Sequence, residues 1–117
     1  MTSKYENVVT WSIYHDDGEG ATSPSMALWD SLKGKLGKVY SFSIIAGRQF
    51  SVEIIAEHGI VLLSGLNCGY GGTGPHGTQK LLKSLKIPEH IYTQRLLDRK
   101  TFGQEKFMLD LKGYVSW

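Results

Sequence analysis

Apolar and polar residues alternate over NVVTWSIY (7–14), with Val9, Trp11 and Ile13 on one side and Thr10 and Ser12 on the other. That period of two predicts a strand. A polar, glycine-bearing loop, HDDGEGATS, follows. Ser23-Pro24 then reads as an N-cap with proline at the first helical position. Leu28, Trp29, Leu32 and Leu36 recur at helical spacing, and Gly37 suits a C-terminal stop, so a helix is predicted near 24–36.

Three strand-like runs come next: 39–46, 49–57 and 60–65. Tyr40, Phe42, Ile44 and Ala46 share one face of the first, and Phe50, Val52, Ile54 and Ala56 one face of the second. Gly47-Arg48 and His58-Gly59 are short turn signals, which predict antiparallel neighbours. The third run is apolar on both faces, as a central strand would be. Beyond it, PHGTQKLLKSLKI places Leu81, Leu82 and Leu85 on one face and Lys80, Lys83 and Lys86 largely away from it. A helix near 75–86 follows, Pro88 ends it, and EHIYTQRLLDRK suggests another near 89–100. The tail, EKFMLDLKGYVSW, fits helix or strand. Together these elements predict an α+β fold built on an antiparallel sheet of four or more strands.

Composition changes this picture little. The 117 residues suit a single domain with one core, and three Trp, six Tyr and four Phe can fill it. Cys68 is the only cysteine, so no internal disulfide forms. That favours a reducing compartment. The N-terminus lacks an apolar run after a basic start, so no signal peptide is expected, and no stretch is long and apolar enough for a membrane span. A cytoplasmic location is expected. Charge is uneven: residues 1–66 carry five basic and seven acidic side chains, net −2, whereas 79–106 carry seven basic and three acidic, net +4. The basic part permits an anionic partner.

The chemistry concentrates in NCGYGGTGPHGT (67–78), which holds five glycines between positions 69 and 77. Glycines let a backbone approach an anion without Cβ clashes, and free N–H groups at a helix start attract negative charge. Gly69 to Gly74 formally matches G-x-G-x-x-G, but tight antiparallel strands precede it in place of parallel βαβ units. The P-loop pattern fails because Gly74 is followed by Pro75 instead of lysine. An anion-binding nest at a helix start is what remains. Its expected ligand residues are Asn67, Gly69, Tyr70, Gly71, Gly72, Thr73, Gly74, His76, Thr78 and Lys80, with Tyr70 able to stack on a base or sugar.

Cys68 beside this loop, with His76 nearby, is a weaker candidate for a nucleophile and its base. His15, Asp16, Asp17 and Glu19 form a second polar cluster. Its spacing does not fit a calcium loop, and it reads as a solvated turn. No zinc spacing and no G-x-S-x-G motif are present, and no nucleic-acid-binding motif accompanies the near-neutral charge. No cofactor, metal, membrane or nucleic acid is therefore expected.

The first reading is a small non-catalytic domain that senses or sequesters a phosphate-bearing small molecule, such as a nucleotide or nucleotide-derived signal. The alternative is a protein-interaction module, such as an inhibitor or immunity-type protein. A cysteine-dependent hydrolase or transferase using Cys68 ranks third. The apolar tail residues Tyr114, Val115 and Trp117 also suggest a homo-oligomer.

Overall fold

Five strands and two helices make up the described part of the chain, which in the computed structural model is residues 4–45, 48–66, 73–87, 89–90 and 106–110. In chain order they are β1 (Ile13–His15), α1 (Thr22–Leu32), β2 (Val39–Ile45), β3 (Val52–Ala56), β4 (Gly59–Leu63), α2 (Thr73–Ser84) and β5 (Lys106–Asp110). The sheet order is β1-β4-β3-β2-β5. The α+β class holds; β2–β3 and β3–β4 are antiparallel, as short connections dictate, and β5, far along the chain, pairs with β2 antiparallel too. β1 instead joins β4 in parallel, pairing Ile13 with Ile60 and His15 with Leu62, so the sheet is mixed.

The registers explain what is buried. Phe42, Ile54 and Val61 line up across the sheet, as do Ile44, Val52 and Leu63. All six are in the core with Trp29 and Leu32 of α1 and Leu81, Leu82 and Leu85 of α2. Both helices therefore cover the same face. On the other face, Lys4 and Tyr5 both reach the Glu53 carboxylate at 2.9 Å, so the N-terminal segment crosses behind the sheet.

Several predicted boundaries move, each for a local reason. α1 begins with Ala21 as N-cap, and no side chain caps it; Ser23 and Pro24 lie inside its first turn, where a missing N–H costs nothing. It ends before Leu36 because Lys33 and Gly34 form a type II turn. Gly34 has φ +84°, and Lys35 N–H donates to Leu32 O at 3.0 Å. Leu36 still reaches the core from beyond the helix. A register shift between Val39 and Ser41 gives Val39 the core position and leaves Tyr40 half-buried. β3 starts at Val52, so Phe50 lies outside it, and Phe50 packs edge-on against His15 with centroids 5.4 Å apart. Glu57-His58, one residue earlier than expected, makes the β3–β4 turn between the paired Ala56 and Gly59.

α2 starts two residues early and closes with a Schellman motif. Ile87 N–H donates to Leu82 O, Lys86 N–H donates to Lys83 O, and Lys86 takes a left-handed φ of +59°. Lys80, Lys83 and Lys86 are exposed, as the pattern predicts. Residues 89 and 90 are helical, and the rest of the predicted 89–100 helix lies outside the described residues. So do Ala46, Gly47 and the tail residues Tyr114, Val115 and Trp117. Part of the ambiguous tail is strand β5.

The largest departure is at the N-terminus. Of the predicted 7–14 strand only Ile13 and Tyr14 are strand, and the strand continues to His15. Val9 N–H and Thr10 N–H both donate to Glu57 O, which breaks the regular ladder before Ser12. Tyr14 and Asp16 turn toward the helices, so Val9, Trp11 and Ile13 face solvent.

Candidate functional site

β1 and β4 run side by side, and their carboxyl ends release two loops toward two helices. A close set of contacts holds this rim together. Asp16, just past β1, is only 8% exposed. Its Oδ1 accepts from Gly18 N–H at 2.9 Å and from the Ser64 hydroxyl at 2.7 Å. Its Oδ2 accepts from Ser64 N–H at 2.8 Å and from the Ser25 hydroxyl. Ser25, fully buried in α1, accepts in turn from Gly65 N–H at 2.9 Å. One carboxylate thus fastens the β1 exit, the β4 exit and the first turn of α1. Burial alone pushes the Asp16 carboxyl up, but the hydrogen bonds from Ser25, Ser64 and Gly18 outweigh it and hold it below its ordinary value.

This corrects the reading of residues 15–19 as a solvated turn. Asp17 and Glu19 are exposed, but Asp16 is a buried structural anion. The signal available in the sequence was Asp16 two residues before Gly18, an Asx-turn spacing, and Ser64-Gly65 at a strand end. Neither says that the two segments meet.

Glycine permits the close approach of α1 to β4. A Cβ on Gly65 would lie 2.0 Å from Ala21 O and 2.7 Å from Thr22 N. The Thr22 hydroxyl donates to Gly65 O at 2.8 Å. α2 completes the rim: a Cβ on Gly77 would lie 2.7 Å from Thr22 Cγ2 and 2.8 Å from Leu66 Cδ2. Farther along, Trp29 Nε1–H donates to Ser84 Oγ at 2.8 Å. Thr22 meets Gly77 and Trp29 meets Ser84, so the two helices run parallel. Their N-termini both end at the rim. Each helix dipole places about half a positive charge there.

The sequence-predicted ligand residues separate into four groups. Gly74 and Thr78 are buried within the first two turns of α2, and the Thr78 hydroxyl donates back to Gly74 O at 3.1 Å. That hydroxyl is committed to the helix. His76 and Lys80 are exposed, four residues apart on one side of α2. Thr73 opens the helix. Asn67, Gly69, Tyr70, Gly71 and Gly72, together with Cys68, lie outside the described residues. Of the nucleophile–base pair, only His76 is therefore described. His15 holds its own position, with Nδ1 2.8 Å from Asp16 O. Among the described residues no group of three or more His, Cys, Asp or Glu could hold a metal ion. No helix among them is long and apolar enough to cross a membrane.

No protein-family model, curated protein or solved structure matches this chain.

Proposed function

We propose that the protein captures a phosphate-bearing small molecule, a nucleotide or nucleotide-derived signal, at the rim beyond β1 and β4. The observation that carries this reading is the parallel pair α1 and α2, whose N-termini end together there. Two aligned dipoles favour an anion, as do the first-turn N–H donors that remain once Pro24 and Pro75 are discounted. α1 has no side-chain cap to occupy its share of those donors. Exposed Asp17 and Glu19 border the α1 side, so the anionic end of the ligand belongs at α2, near exposed His76 and Lys80. In the sequence, glycines at 69, 71 and 72 precede α2, where residues without a Cβ would allow close backbone approach, and Tyr70 would offer a stacking surface.

Thermal-shift titration with inorganic phosphate and a panel of nucleotides tests the reading. A nucleotide raises the melting temperature, and Lys80→Ala weakens its binding by about fivefold, the worth of one exposed charge near a helix start. Gly72→Val abolishes the shift. The reading fails if no anionic ligand stabilises the protein, or if Gly72→Val binds such a ligand as the parent does.

A further inference from the structure

Val9, Trp11 and Ile13 are 68%, 59% and 60% exposed and form a row on the sheet face away from the helices. Tyr5 extends it, its ring centroid 5.7 Å from that of Trp11. The row runs along the segment that leads into β1 and ends on Ile13 of β1, an edge strand among the described residues. Ser12 O accepts from Ile60 N–H, and Asp16 N–H donates to Leu62 O. By strand alternation the backbone groups of Trp11, Ile13 and His15 therefore point away from the sheet.

We infer that this edge is a dimerisation surface whose partner is a second copy of the same chain, added antiparallel across a two-fold axis. The sequence pattern is self-complementary. In the register centred on Ser12, Trp11 of each copy lies opposite Ile13 of the other, and the outward-facing backbone groups of these residues pair. Sliding the register to centre on Ile13 sets Trp11 against His15 and keeps one apolar pair, Ile13 on Ile13, in place of two. Charge permits the contact as well. Residues 7–14 carry no charged side chain, so two copies meet without repulsion. Lys4, the nearest cation before them, is held by Glu53 at 2.9 Å. No lysine or proline, two of the usual guards of an edge strand, occurs in residues 7–15.

Area sets the strength. The three side chains expose roughly 350 Å² per copy, so the pair covers about 700 Å² of side chain plus the strand backbone. Stable complexes bury about 1,200 Å² or more. The dimer is accordingly weak and concentration-dependent, with a dissociation constant on the order of 100 µM.

Sedimentation velocity on the full chain, from about 10 µM to about 1 mM and without added ligand, is the test. A monomer–dimer equilibrium is expected. Ile13→Lys and Trp11→Lys weaken it at least about tenfold, because each buries an unpaired charge on dimerisation. Both positions are exposed, so circular dichroism and melting temperature should stay those of the parent. Ser31→Lys, on the exposed side of α1, should dimerise as the parent does. A chain that remains monomeric throughout the range overturns the inference. So does a dimer that Ile13→Lys leaves intact, or a monomer that captures an extended peptide along β1 instead.

Discussion

Replacing Asp16 with asparagine tests whether one carboxylate holds the rim. The side chain keeps its volume but loses one acceptor atom. With the amide oxygen kept toward Gly18 N–H and the Ser64 hydroxyl, the NH₂ group falls where Oδ2 accepts from Ser64 N–H and Ser25. Ser25 can redirect its proton to Ala21 O, which lies 3.3 Å away. Ser64 N–H has no such escape and faces another donor. An unsatisfied buried donor costs about 1–3 kcal/mol, and the remaining bonds lose the strength that a charged acceptor gave them. The expected loss is about 3 kcal/mol, which in a chain of this size lowers the melting temperature by roughly 10 °C.

The same argument fixes a pH dependence. The folded-state pKa of Asp16 is depressed, so the unfolded chain takes up the proton first as pH falls. Its contribution is fully present above the unfolded value of about 4 and is lost as pH drops through the lower folded value. Urea melts followed by circular dichroism, at about pH 7 and about pH 2.5, compare the parent with Asp16→Asn. The gap between the two proteins should be large at the higher pH and narrow at the lower. Equal midpoints at neutral pH, or a gap that pH does not change, would falsify the account of Asp16.

Two further substitutions probe the helix contacts. Gly65→Ala should prevent stable folding, because its Cβ meets the backbone of Ala21 and Thr22, which cannot move without shifting α1; an expressed protein with parental stability refutes this. Gly77→Ala meets only the ends of the Thr22 and Leu66 side chains, and alanine gains about 1 kcal/mol of helix propensity over glycine, so its net cost should stay below about 2 kcal/mol by the same urea melts. Lys86→Gly should stabilise the protein by about 1 kcal/mol, since a non-glycine residue there holds a left-handed φ of +59°; no gain in the urea midpoint counts against strain at that position.

What the sequence determines by itself is local. The leucine spacing of α2 assigns its buried and exposed faces correctly, because both helical period and burial are set within three turns. The antiparallel β2–β3–β4 succession follows from apolar alternation and connections too short for anything else. What the tertiary structure decides involves partners distant in sequence. The alternation of Val9, Trp11 and Ile13 is legible, but which side faces the core depends on pairing with β4, 47 residues from Ile13 to Ile60. Phe50 looks like a strand residue until the ladder begins at Val52 and leaves it to pack on His15. In the candidate site, the glycine-rich segment at the start of α2 is visible as composition. The parallel alignment of α1 with α2 is not, since it rests on Thr22 meeting Gly77 and Trp29 meeting Ser84. Asp16 shows the difference most directly: beside Asp17 and Glu19 it reads as a solvated acid, and only Ser25 and Ser64, 9 and 48 residues away, supply the donors that make its burial favourable.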